Sequence, residues 1–201
     1  MSRGSSGRRA RRGARAIAVA ASAVALVQLP GPSYADQQIL RDPRGDVWRV
    51  WLGTGEAQPA RGEDQDLRGG FLRHGTAAVT VQWRYAALRP RGPLVVHRAL
   101  LRNGAGATWE VRIDAGAGYR RGRAAVFSAD DRRVACATTH RIDGSRRIAT
   151  LVVPRTCLGE PLFVQARLDA FRGDRDGSFR RDNLHDREPQ TSRWTRLLAP
   201  A

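Results

Sequence analysis

Val79-Thr80-Val81-Gln82-Trp83-Arg84-Tyr85 places Val79, Val81, Trp83 and Tyr85 on one side of the chain. Thr80, Gln82 and Arg84 fall on the other. A period of two is the mark of a strand with one buried and one wet face. The same alternation returns downstream. Trp109, Val111 and Ile113 alternate with Glu110, Arg112 and Asp114, and Leu162, Val164, Ala166 and Leu168 with Phe163, Gln165, Arg167 and Asp169. Weaker strand patterns cover 47–52, 67–73, 94–102, 123–128, 134–142 and 147–153. Between them lie turn formers: Gly92-Pro93, Asn103-Gly104, Gly116 to Gly118, Asp130-Asp131, Asp143-Gly144 and Gly159. No segment carries a convincing amphipathic helix. Short strands at regular spacing predict an all-β fold, a single antiparallel β-sandwich, jelly-roll-like, of about eight to nine strands.

The cysteines add a distance constraint. With Asp143-Gly144 at the centre of a tight turn, Ile142 opposes Ser145 and Cys136 falls opposite Leu151. Cys157 then lies six residues further along, about 20 Å away on a straight strand. A disulfide tolerates roughly 7 Å between Cα atoms. The chain is therefore expected to reverse near Pro154, folding 155–158 back over the hairpin. As an even pair in an exported chain, Cys136 and Cys157 are expected to form one disulfide.

Export is read from the first 35 residues. Arg3, Arg8, Arg9, Arg11, Arg12 and Arg15 form a basic region without an acidic residue, followed by a small and apolar run from Ala16 to Leu29. Pro30, Gly31 and Pro32 end it, and Ser33-Tyr34-Ala35 supplies small residues at the positions a signal peptidase reads. Residues 1–35 are read as a signal peptide cleaved after Ala35. Residues 36–201 form the sandwich domain, with an irregular charged segment over 172–193. The apolar run is shorter than the roughly 20 residues a spanning helix requires, so no transmembrane segment is expected in the mature chain. The protein is expected to be secreted, or held in a cell envelope, as a monomer.

The formal charge of +16 overstates the basicity of the domain, because six arginines belong to the signal. Arginine supplies every basic residue and lysine is absent. The arginines are spread almost uniformly rather than concentrated on one tail with stacking aromatics, which argues against a specific nucleic-acid partner. The remaining positive charge favours association with anionic envelope polymers, with strong salt dependence.

Carboxylates cluster in three places: Asp42 and Asp46 before the first strand, Glu63, Asp64 and Asp66 before the second, and Asp174, Asp176 and Asp182 near the C-terminus. Calcium takes six to eight oxygen ligands, often from loop carboxylates in extracellular modules. These aspartates are therefore the candidate ligands of a structural calcium ion, and no other cofactor is expected. Asp174-Arg175-Asp176-Gly177-Ser178 is not an EF-hand loop, since glycine stands fourth instead of sixth and the twelfth position is His185. The competing reading makes the acids turn formers paired with arginine. A glycosidase would need two acids about 5–9 Å apart in a cleft. No Gly-x-Ser-x-Gly is present, and His74, His97, His140 and His185 show no metal-ligand spacing. No catalytic residue is assigned. Trp48 and Trp51 lie on opposite faces of a regular strand, so one of them is a candidate for stacking on a sugar ring. The competing reading has Trp83, Trp109 and one of this pair fill the core and the other cover a strand edge, while Trp194 is expected to dock the C-terminus onto the sandwich.

Four motifs carry a resemblance. They are Asp42-Pro43-Arg44-Gly45-Asp46, Asp66-Leu67 followed by His74, Pro154-Arg155-Thr156-Cys157-Leu158-Gly159, and Asp182-Asn183-Leu184-His185 followed by Trp194-Thr195. In these the chain resembles an uncharacterised family of exported β-sandwich proteins from GC-rich Gram-positive bacteria. The resemblance implies architecture and export, and no activity. The expected role is a noncatalytic secreted module binding carbohydrate or an anionic cell-wall polymer. The alternatives are a small secreted glycosidase-like hydrolase using loop carboxylates, and a structural envelope protein without a small ligand.

Overall fold

A computed structural model describes residues 36–43, 45–60, 66–89, 94–184 and 193–201. The expected signal segment over 1–35 lies outside the described residues. The described residues hold twelve strands: β1 (Asp36–Arg41), β2 (Trp48–Trp51), β3 (Ala57–Pro59), β4 (Leu67–His74), β5 (Ala78–Tyr85), β6 (Leu94–Asn103), β7 (Thr108–Ala115), β8 (Arg123–Ser128), β9 (Thr139–Asp143), β10 (Ile148–Pro154), β11 (Val164–Gly173) and β12 (Ser178–Asn183). All pairings are antiparallel. One sheet has the order β1-β4-β5-β10-β9, and the other β3-β2-β12-β11-β6-β7-β8. The all-β sandwich expected from the alternation is the fold.

Three strands exceed the expected eight to nine: β1, β3 and β12. Their sequences, Asp-Gln-Gln-Ile-Leu-Arg, Ala-Gln-Pro and Ser-Phe-Arg-Arg-Asp-Asn, lack a clean apolar alternation. The stretch 172–193 is accordingly not irregular throughout, because β11 runs to Gly173 and β12 occupies part of it. β12 is held by ladder bonds to β11 on one side and β2 on the other. An inner strand of this kind forms through its neighbours, whatever its own propensity.

Alternating residues from both sheets meet in the core. Val79, Val81 and Trp83 of β5, Leu151 and Val153 of β10, Leu101 of β6, Ile113 of β7 and Leu168 of β11 are all buried. Packing alternates large with small. Trp83 stands between Gly70 of β4 and Ala149 of β10 in the ladder, and a Cβ on Gly70 would meet Leu168 Cδ2 of the facing sheet at 2.7 Å. Polar groups also tie the sheets together. Trp83 Nε1 donates to the Arg98 carbonyl at 3.1 Å, and Tyr85 Oη bonds His97 Nδ1. The C-terminus docks through Leu198, which bridges Val164 and whose carbonyl oxygen accepts a hydrogen bond from His74 Nδ1 at 2.8 Å.

Arginine also works within the fold. On the outer face of the seven-stranded sheet, Arg98 covers Phe171, Arg112 covers Phe127, and Arg102 and Arg167 enclose Trp194 at 4.3 and 4.4 Å. Asp169, placed by alternation on the wet face, is only 1% exposed. The Arg98 guanidinium covers and pairs with it, which is how a charged outer-face residue becomes buried.

The hairpin between β9 and β10 differs from expectation. Asp143 faces Ile148 and Ile142 faces Ala149, so the connection spans 144–147 instead of centring on Asp143-Gly144. Asp143 Oδ1 accepts from Ser145 Oγ at 2.7 Å and from the Arg146 amide at 3.0 Å, which favours the wider turn. After Pro154 the chain turns in a short 3-10 segment, Arg155–Leu158. Cys136 and Cys157 are joined there, with Cα atoms 5.7 Å apart. The bridge closes 21 residues of sequence, a loop worth about 3 kcal/mol in the chain-entropy description. Cys157→Ser is expected to lower the stability measured by urea denaturation by about that amount. Reductant should then affect the parent and leave the variant unchanged.

Candidate functional site

The outer face of the five-stranded sheet holds a trough of about 770 Å³. It is lined by Arg41 of β1, Arg68 of β4, Arg84 of β5, and Arg146 and Arg147 of the β9–β10 connection. Strand register explains the shape. Arg41 faces Gly69, Gly69 faces Arg84, and Arg84 faces Ile148. The middle position of this row carries no side chain, so two guanidinium groups flank a gap. Gly69 has φ +150°, and a Cβ there would collide with the Leu40 carbonyl oxygen. The backbone itself therefore keeps the gap open.

Charge in the trough is unbalanced. Arg68 has Asp66 at 3.6 Å and Arg146 has Asp143 at 3.9 Å. Arg41, Arg84 and Arg147 are exposed, and none of the three has a carboxylate partner among the described residues. Asp42 is the acidic residue at the rim. Five guanidinium groups around an open floor suit phosphate or carboxylate groups, which arginine contacts with paired N–H donors.

Next to this rim the fold brings Asp182 to two acids of the β1–β2 connection, far from it in sequence. One carboxylate oxygen from each of Asp42, Asp46 and Asp182 lies within 4.8 Å of the other two. Asp42 follows β1, Asp46 precedes β2, and Asp182 comes from β12. Gly45, with φ +72°, bends the connection so that Asp42 and Asp46 return to one point. Asp182 is 1% exposed. Its Oδ2 accepts the Leu67 amide at 2.6 Å, and its Oδ1 is buried without a hydrogen-bond partner among the described residues. Burial, and then the neighbouring Asp42, Asp46 and Asp66, push its pKa up to about 9, against the Leu67 hydrogen bond. Asp66, itself buried, accepts the Gly45 amide at 3.3 Å and pairs with Arg68.

The remaining candidates fall elsewhere. Asp174 and Asp176 bind Arg49 at 3.3 and 3.2 Å, and Asp174 also binds Arg180 at 3.3 Å. They are arginine-paired turn residues, as the competing reading held, and do not join the acid group. Asp64 lies outside the described residues. Trp48 and Trp51 are both half-buried. Trp51 faces Ser178 and Trp48 faces Arg181, so the two rings occupy opposite faces and share no platform. Arg49 lies over the Trp51 ring at 5.6 Å. His74 and His97 are fully buried structural groups.

The acids are visible in the sequence, but the trough is not. Its arginines come from three parts of the chain, and β5 neighbours β10 only through a long connection. The signal available in sequence was the pair Arg68-Gly69 within a strand, where glycine marks a close backbone approach. Comparison of the chain with protein-family models, curated proteins and solved structures gave no match.

Proposed function

We propose that this protein is an exported, noncatalytic β-sandwich module that binds an anionic cell-envelope polymer along the arginine trough. The observation that carries this reading is the set of five arginines around Gly69, three of them without a carboxylate partner among the described residues. The basic and apolar N-terminal sequence and the disulfide support an exported location. Among the described residues no helix is long and apolar enough to cross a membrane. The hydrolase alternative draws less support from the geometry. A general acid or base must touch its substrate, whereas Asp182, at the centre of the acid group, is 1% exposed.

The test is binding to polyphosphate, polygalacturonate and neutral dextran across a salt series. Each phosphate contact contributes about −0.7 to −0.9 to the slope of log affinity against log salt, as measured for nucleic acids. Engagement of the three arginines without a carboxylate partner among the described residues therefore predicts a slope of roughly −2 to −3. Dextran should not bind. The double variant Arg41→Glu, Arg84→Glu is expected to lose at least tenfold in affinity for the polyanions and to show a shallower slope. Unchanged affinity in that variant would overturn the proposal and favour a structural envelope role.

A further inference from the structure

We propose that Asp42, Asp46 and Asp182 bind a calcium ion that clasps the two sheets together at one end of the sandwich. The inference is independent of polymer binding and concerns what holds the trough's border in place.

Two observations carry it. The first is convergence: three carboxylate oxygens, two from the β1–β2 connection and one from β12, lie within 4.8 Å of one another. Two oxygens on one calcium ion, each at about 2.4 Å, lie at most about 4.8 Å apart. The second concerns Asp182 alone. It is 1% exposed, one of its oxygens lies in this group, and Oδ1 is buried without a hydrogen-bond partner among the described residues. A buried carboxylate oxygen without a donor is costly. No guanidinium answers it: among the described residues no ion pair to Asp182 is present, although arginine serves Asp169 of β11 and Asp174 and Asp176 of the β11–β12 turn. A cation placed among the three acids satisfies that oxygen and offsets their mutual repulsion.

The donor chemistry selects the metal. Carboxylate oxygens alone suit a hard cation, while zinc and copper favour nitrogen or sulfur donors. Magnesium retains several waters and is seldom held by an all-protein cage, whereas calcium accepts flexible carboxylates with carbonyls and waters completing six to eight ligands.

The clasp follows from where the ligands sit. Asp42 leaves the five-stranded sheet and Asp46 enters the seven-stranded one. Asp182 belongs to the seven-stranded sheet and already accepts the Leu67 amide of the other. An ion here fixes the crossing from β1 to β2. It thereby fixes the end of β1 that bears Arg41.

The experiment is calorimetric titration of chelator-treated protein with calcium and, separately, magnesium, together with melting temperatures. The parent is expected to bind one calcium ion per chain, to prefer calcium over magnesium at least tenfold, and to melt at higher temperature with calcium. Asp182→Asn keeps the acceptor for the Leu67 amide but removes the charge, and should lose at least tenfold in calcium affinity. Asp46→Asn should do the same, which covers the case in which the buried variant folds poorly. Asp174→Asn, in the arginine-paired turn, should bind as the parent does. Absence of calcium binding at millimolar concentration, or parental affinity in both Asp182→Asn and Asp46→Asn, would overturn the proposal. Because polymer affinity is measured separately, failure of one proposal is distinguishable from failure of the other.

Discussion

Trp83→Ala is expected to destabilise the domain by about 3–5 kcal/mol, the usual range for removing a buried large aromatic. The indole is fully buried at the centre of the five-stranded sheet, flanked by Gly70 and Ala149. Both neighbours are too small to fill the space. Collapse is further limited by the ladder on each side, since β5 pairs with β4 and β10 along its length. The variant also loses the Nε1–H bond to the Arg98 carbonyl, one of the polar links between sheets. Trp83→Phe separates these contributions. It keeps most of the apolar volume, drops the hydrogen bond, and should cost about 1–2 kcal/mol. Urea denaturation followed by circular dichroism measures both. Equal losses in the two variants would show that the hydrogen bond, and not the packing, dominates.

Acid is expected to destabilise the domain through His97. The imidazole is fully buried, and burial lowers its pKa from 6.5 to about 3. Between these values the unfolded chain binds a proton that the folded chain refuses. Stability is therefore retained above pH 6.5 and falls as the pH drops toward 3, by at most roughly 1.4 kcal/mol per pH unit. His74, also lowered by burial, acts in the same direction. Asp182 acts oppositely, because its raised pKa favours the folded state on acidification. The histidine is isolated by difference. Tyr85 Oη and His97 Nδ1 share a hydrogen bond, and Nε2 has no partner among the described residues. Replacing both groups, His97→Leu with Tyr85→Phe, removes a donor and its acceptor together and should cost little at pH 7.5. Its stability curve should be flatter than the parent's between pH 6.5 and 4. Parallel curves would assign the acid sensitivity to other groups.

The fold was legible where one face of a strand is apolar. β5, β7 and β10 bury every second residue, and that is a sequence signal. β12 was not legible, because Arg180, Arg181 and Asp182 give it charge on both faces. The structure accommodates these by pairing Arg180 with Asp174, stacking Arg181 on Phe171 and burying Asp182 among other acids. Turn register was equally hidden. Asp143-Gly144 predicts a two-residue loop from backbone preference, but the Asp143 side chain caps a longer one. For the site, each acid of the calcium group could be named from sequence, but not which of them meet. Asp174 and Asp182 look alike as residues near the C-terminus, yet one turns toward Arg49 and the other inward. The difference is set by strand pairing, which composition does not record.

Gly69 also sets a length. It separates Arg41 from Arg84, so the backbones carrying those residues stand two strand spacings apart, about 10 Å. The trough is in this sense a ruler. A single phosphate reaches one guanidinium at a time, whereas a chain of linked charges long enough to span the gap engages both, its second contact being intramolecular. Affinity across a series of oligophosphates should therefore rise steeply once the ligand spans that distance and more gradually beyond it, which makes chain length, more than the identity of the repeating unit, the first variable to which this surface responds.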